Sequence, residues 1–261
     1  MTGITNNKVR ALGPPPSWSS FKGISVIFDN PGDSLVAVGE GLVRLTCRTS
    51  SDPRLRFYST LEDAIGRLNV NWLSAEFDFC PLPSHSYHVT VWDGINDDNL
   101  ASIVDLHRPT IQEFLEALPR SLKEMPNELR FVEQGWLLIN DYGPITFRFK
   151  KLTNWGNKVL VVQLEPSNAN SSTSKLDSIR ASRQDLYRRL RQEVGIGSFQ
   201  KYSPHVSLGY FANLEGGAKA SSFIDNWTQE FKYDIENITI TFDSMSIYGF
   251  TDMVSFYKVL D

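Results

Sequence analysis

Cysteine is scarce in this chain. Cys47 and Cys80 are the only two in 261 residues, too few for a disulfide framework. Both sit in apolar stretches and read as reduced core thiols. Long apolar runs are missing as well, so nothing reads as a bilayer-spanning helix or a membrane partner. Met1 to Arg10 is polar and lacks the apolar centre of a secretory signal, which makes the cytoplasm the expected location. A basic excess is also absent: 26 Lys and Arg stand against 30 Asp and Glu, a formal net charge of -4. Proteins that grip long duplexes draw affinity from phosphate neutralisation and carry a basic surface. Duplex DNA is therefore not expected. The balance suits a small ligand, or a single-stranded end in a local basic pocket.

What is present is apolar material enough for one large core or two small ones, at 41% hydrophobic residues. Residues 1–40 contain Gly13-Pro14-Pro15-Pro16 and read as an irregular arm. Leu42 to Cys47 reads as a strand, and Asp52-Pro53 as a turn. Thr60 to Leu68 reads as a helix with Thr60 as its N-cap. Tyr87 to Trp92 alternates as a strand, with Ile95 to Asn99 a polar loop after it. A helix follows at Thr110 to Leu118. Gly135 to Ile139 reads as a short strand, and Ile145 to Leu164 as a hairpin. Ser167 to Ser174 reads as a polar loop. A helix from Lys175 to Val194 places its leucines on one face, and Arg180, Arg183, Arg188, Arg189 and Arg191 read most simply as its solvated face. Pro204 to Phe211 is a strand, Gly216-Gly217 a turn and Ala218 to Phe231 a helix. Ile238 to Phe250 and Met253 to Leu260 close the chain as strands.

Histidine is the informative rarity, with four in the chain: His85, His88, His107 and His205. Two of them open the same pattern. One is Tyr87-His88-Val89-Thr90-Val91, the other Pro204-His205-Val206-Ser207-Leu208. On a strand, residues i and i+2 share a face. His88 and Thr90 therefore point one way and Val89 and Val91 the other. The same holds for His205 and Ser207 against Val206 and Leu208. If the two strands lie side by side, two imidazoles and two hydroxyls converge. Those groups suit phosphoryl chemistry. One imidazole takes a proton and the other gives one, near an unperturbed pKa of about 6.5. The hydroxyls donate hydrogen bonds to nonbridging oxygens. The competing reading is two structural strand histidines in an α+β core, with the chain an interaction protein.

The paired motif resembles the two-histidine (2H) phosphoesterase superfamily, whose signature is two His-apolar-Thr/Ser-apolar tetrapeptides. The resemblance runs from about Leu42 to Leu260 and is fuller in the second half. Trp92-Asp93-Gly94 after the first motif is similar to a less characterised branch. It implies an α+β fold, bilobal, with two similar lobes of antiparallel sheet forming a central cleft. Lobe one would span about 41–135 and lobe two about 136–261, elements exchanging between them. His88 and His205 would be the catalytic pair, and Thr90 and Ser207 would hold the phosphate. The substrate would be a cyclic phosphate or 2′–5′ phosphodiester of a small nucleotide or RNA end. No metal or cofactor is implied. His85-x-x-His88 with Asp93 is not a zinc pattern on a strand.

Around the motifs, Trp92, Tyr202 and Lys201 are candidate substrate contacts. Trp92 is placed there by its i+4 spacing from His88, Tyr202 as an aromatic that stacks on a base, and Lys201 as a cation near the phosphate. Tyr87 faces the wrong way for this and reads as core. Arg44 and Arg148 lie on strands that could face the cleft. The alternative function is a nucleotide or RNA-end binding protein that turns nothing over.

Overall fold

Strand β3 (Gly23–Phe28) is buried along all six of its residues. It lies inside the stretch expected to be an irregular arm, and that expectation is corrected. Residues 9–39 also carry β1 (Val9–Ala11), β2 (Ser17–Trp18) and β4 (Leu35–Gly39). The apolar run Ile24, Val26, Ile27 and Phe28 is what a strand covered on both faces requires. The computed structural model describes residues 3–32, 34–47, 52–167, 170–197 and 201–260.

The remaining elements are β5 (Leu42–Leu45), α1 (Arg56–Arg67), α2 (Val70–Phe77), β6 (Phe79–Pro81), β7 (Thr90–Asn96), α3 (Arg108–Glu116), α4 (Arg130–Glu133), α5 (Trp136–Ile139), β8 (Ile145–Trp155), β9 (Val159–Pro166), α6 (Asn170–Val194), β10 (His205–Phe211), α7 (Leu214–Ala220), α8 (Ile224–Ile235), β11 (Thr239–Phe242), β12 (Met245–Phe250) and β13 (Phe256–Val259). Besides the small β1–β2 pair they build two antiparallel sheets. One has the order β11-β8-β9-β10-β6, the other β4-β5-β13-β12-β3-β7. Each sheet borrows from the opposite half of the chain. β6 edges the sheet of the second half, while β12 and β13 sit inside that of the first. Residues expected as one strand from Ile238 to Phe250 are two strands in different sheets, split at Asp243-Ser244.

One continuous apolar core lies against both sheets and includes Val89, Val91, Val206 and Leu208 together. Phe28 of one sheet meets Phe147 and Phe242 of the other at ring-centre distances of 5.7 and 5.0 Å. The fold is α+β with antiparallel sheets, as expected. The motif aliphatics pack into this shared core and not into two separate ones.

Other differences have local causes. α1 starts earlier than Thr60, because Asp52 Oδ1 accepts from the Arg54 amide at 2.9 Å and Pro53 opens the short 3₁₀ turn that leads in. Where a strand was expected from Gly135 to Ile139, residues Trp136–Ile139 are helical, with Leu137 turned in and Trp136 and Ile139 turned out at i, i+3 spacing. Gly216 and Gly217 lie within α7, whose Asn213 cap accepts from the Gly216 amide at 2.8 Å. Of the expected loop Ser167 to Ser174, residues 170–174 are helical and 168–169 lie outside the described residues. Among the described residues no helix is long and apolar enough to cross a membrane.

Candidate active site

The two motif strands belong to different sheets, yet they meet. His88, Thr90, His205 and Ser207 all line one cavity of about 290 Å³. β7 begins at Thr90, so His88 stands just ahead of the strand. The ladder still reaches it, because the Phe28 amide donates to the Val89 carbonyl at 3.1 Å. Buried Asn30 donates to the Tyr87 carbonyl at 2.7 Å and accepts from the Tyr58 hydroxyl at 2.8 Å, fixing the backbone beside His88. On the other side the Leu164 amide donates to the Pro204 carbonyl at 2.8 Å, beside His205.

The two histidines are held alike. His88 Nδ1 lies 2.8 Å from the Ser86 carbonyl and His205 Nδ1 lies 3.0 Å from the Ser203 carbonyl, each two residues upstream. A carbonyl only accepts, so both rings carry hydrogen on Nδ1 and leave Nε2 to exchange a proton with a bound molecule. Each ring leans on an aromatic at 4.3 Å, His88 on Phe256 and His205 on Trp155. Both strands also bulge at the fourth motif residue. From Thr90 to Trp92 the chain takes two steps against one from Ile27 to Val26. From Ser207 to Gly209 it takes two against one from Val161 to Leu160.

The cavity also holds residues that the sequence reading passed over. Arg183, on α6, lines it and is 5% exposed. It was expected on the solvated face. Its guanidinium lies 4.4 Å from the Tyr202 ring centre and 3.8 Å from Asp93 Oδ1. The Tyr187 hydroxyl donates to the same Asp93 oxygen. Lys8 reaches the cavity from the N-terminal segment, its ammonium over the Phe21 and Tyr210 rings at 4.7 and 5.2 Å. That segment is pinned by Asn6, whose side chain donates to the Phe211 carbonyl at 2.9 Å.

Of the three candidate contacts, exposed Lys201 and buried Tyr202 line the cavity. The Tyr202 hydroxyl donates to the Thr90 carbonyl at 3.1 Å, which ties one motif to the other. Trp92 does not line it. It is fully buried in the core with its edge toward Tyr187, because the β7 bulge between Thr90 and Trp92 reverses the alternation that put it beside His88. Tyr87 is core, as expected. Arg44 is exposed on β5, and Arg148 pairs with Glu165 at 2.7 Å; neither lines the cavity. His85 opens onto a separate chamber.

Two solved structures are similar to this chain. A conserved protein of unknown function, ATU0111 from Agrobacterium tumefaciens str. C58, shares 14% identity over 96% of this chain and 90% of its own, with a TM-score of 0.51. Usb1 from Kluyveromyces marxianus, solved with uridine monophosphate, shares 10% identity over 92% of this chain and 99% of its own, with a TM-score of 0.39. The first likeness is one of fold, and the second is too loose to argue from. No family model matches the chain, and no curated protein matches it in sequence.

Burial pushes both imidazoles down to about 4, against the carbonyl bonds that favour their charged forms; for His205 the neighbouring His88 lowers it further. The free protein therefore holds both rings neutral at pH 7. In an unfolded chain they take up protons near 6.5. Between those values the unfolded state binds more protons, so stability is fully present above pH 6.5 and is lost as pH falls toward about 4. Urea unfolding at pH 7, 6 and 5 should show wild type losing stability faster than a His88→Asn/His205→Asn double variant. The difference should be on the order of 1 kcal/mol per pH unit for each ring. Parallel pH dependences would contradict the shifts.

Proposed function

We propose that this chain is a metal-independent phosphodiesterase of the 2H type, hydrolysing a cyclic phosphate or 2′–5′ phosphodiester of a small nucleotide or RNA end. One observation carries the reading. Two imidazoles from distant segments share a cavity, each with Nδ1 tied to a backbone carbonyl and Nε2 left for the ligand. In this reading one Nε2 takes a proton from water as its oxygen bonds to phosphorus. The other imidazolium gives its proton to the ribose oxygen as that P–O bond breaks. Thr90 and Ser207 donate to the nonbridging oxygens. Arg183 adds a fixed positive charge, since guanidinium matches phosphate geometry and stays protonated. Hydroxyls and guanidinium can meet the developing charge, so the chemistry needs no metal.

A second reading has one observation in its favour. With both rings lowered to about 4, the singly protonated pair is scarce at pH 7 in the free protein. A protein that binds a nucleotide or RNA end without turnover would tolerate that. An anion lodged between the rings opposes the shift, because a nearby negative charge favours imidazolium. The test is a metal-free panel of 2′,3′-cyclic and 2′–5′-linked nucleotides with EDTA present, read by product formation. Turnover unaffected by EDTA is expected, with Arg183→Met weakening it about tenfold to a hundredfold through KM. Binding with no product over a long incubation would leave the second reading standing, and strong inhibition by EDTA would replace the metal-free chemistry.

A further inference from the structure

Lys8 brings a cation into the reactive cavity from a segment far from either motif. Its backbone is fixed on two sides. The Lys8 amide donates to Asn6 Oδ1 at 3.2 Å, and the Lys8 carbonyl accepts from the Ser19 amide at 3.0 Å. The half-buried side chain then lies over the Phe21 and Tyr210 rings. Among the described residues no Asp or Glu forms an ion pair with it. Asp93 is the one carboxylate among them that lines the cavity, and it is engaged by Arg183 and Tyr187. A ring face attracts the ammonium without using a carboxylate, so an incoming anion still finds its donors.

Lys8 and Arg183 stand toward opposite ends of β10. Arg183 lies against Tyr202, which precedes the strand, and Lys8 against Tyr210, near its far end. The β10 bulge keeps Tyr210 on the face of His205 and Ser207. All three are half-buried and line the cavity, whereas Val206, Leu208 and Phe211 are buried. On the partner strand β9, Ser207 pairs with Val161 and Tyr210 with Val159. The two positions are thus two strand steps apart, about 7 Å. Neighbouring phosphates of a nucleotide, one on O3′ and one on O5′, stand a similar distance apart across the ribose. Lysine meets a phosphate as a point charge and needs no bidentate fit.

We infer that Lys8 holds a second phosphate of the substrate, one ribose away from the phosphate attacked between His88 and His205. The inference rests on the phosphodiesterase reading and narrows its substrate class to nucleotides phosphorylated on the 5′ oxygen. That phosphate is either a terminal monoester or the diester that links a preceding nucleotide. The 5′ oxygen leaves the ribose on the edge away from the 2′ and 3′ oxygens. A cyclic phosphate seated at the motifs therefore turns the 5′ phosphate along the cavity toward Lys8.

The test gives the full chain adenosine 2′,3′-cyclic phosphate, the same compound with a 5′-phosphate, and the dinucleotide in which that phosphate links a second adenosine. In wild type KM should be about tenfold or more lower for at least one of the 5′-phosphorylated compounds. Preference for the monoester identifies a free 5′ end, and preference for the dinucleotide a chain. Lys8→Met keeps an unbranched stem on the rings and removes the charge, so it should erase most of the ratio. Lys8→Arg keeps the charge and should keep most of it. Added KCl should shrink the ratio in wild type and leave it unmoved in Lys8→Met. In parallel, calorimetry compares adenosine 3′,5′-bisphosphate with adenosine 3′-phosphate, which needs no turnover. A wild-type ratio near one, or a ratio that survives Lys8→Met, overturns the inference, whether read in KM or in binding. Absence of turnover on all three compounds, with the bisphosphate bound more tightly by wild type and not by Lys8→Met, sinks the phosphodiesterase reading and upholds the second anion site.

Discussion

Replacing His88 or His205 is expected to lower kcat by about 10³-fold or more, in line with the 10²–10⁴-fold typical of one positioned acid or base. Asn is the more telling replacement than Ala. Its side-chain amide can donate to the same Ser86 or Ser203 carbonyl that now accepts from Nδ1, yet it has no nitrogen that titrates. Ala would leave that carbonyl without its partner at a cost of roughly 1–3 kcal/mol, mixing loss of stability into loss of rate. If the imidazoles serve only to brace the strands, Asn variants keep most of whatever activity exists. If they move protons, Asn fails as badly as Ala while unfolding at nearly the wild-type urea concentration. If both rings act in one step, the double variant should lose little beyond the worse single one. Asn variants within tenfold of wild type would end the acid–base assignment.

The same shifts fix where the rate should peak. kcat/KM reports protonation of the free protein. In the proposed reaction the working form has one ring charged and one neutral, and it is commonest near the lowered values of about 4. The two titrations belong to the pair and not to either residue. kcat/KM should therefore be highest on the acid side of neutrality and fall toward tenfold per pH unit above it.

How much of this site was legible in the sequence depends on how local each signal is. The paired tetrapeptides were legible because strand alternation acts over four residues and histidine is rare in this chain. Their meeting in one cavity depends on tertiary structure, since the strands lie in different sheets. Arg183 was missed although a signal existed. Leu176, Ile179, Arg183, Leu186 and Leu190 follow spacings of three and four, so Arg183 stands on the buried stripe of α6 and not beside it. An arginine in that register is either a fault in packing or a charge with a purpose. Lys8, Phe256 and Trp155 carried no such signal. Their places follow from Asn6 pinning the N-terminal segment and from β13 and β8 ending at the cavity.

Trp92 was misplaced because β7 bulges between Thr90 and Trp92, where no glycine marks the irregularity; the next bulge along the strand does carry a mark. Gly94 stands inside β7, and an isolated strand glycine often marks a bulge or a close backbone approach. Here it marks both. Gly94 has φ +60°, and a Cβ there would lie 1.8 Å from the Ile24 carbonyl oxygen. From Ile95 to Trp92, β7 takes three steps against two from Ile24 to Val26 on β3. The extra residue turns Asp93 out to Arg183 and Tyr187, whereas Trp92 is turned into the core by the preceding bulge, between Thr90 and Trp92. Gly94→Ala should therefore destabilise the chain by about 3–4 kcal/mol. Roughly 1–2 of this comes from the left-handed conformation, and the remainder from forcing β7 away from the fully buried β3. Gly156→Ala is the matched comparison. Gly156 has φ +58° in the β8–β9 turn, but nothing lies within 4 Å of an added Cβ, so only the conformational part should appear. The gap between the two variants in urea unfolding isolates the contact with Ile24. Because the same bulge aims Asp93, Gly94→Ala should also weaken turnover, while Gly156→Ala leaves it near wild type. Equal destabilisation by both variants would mean that the strands do not approach as closely as this geometry requires.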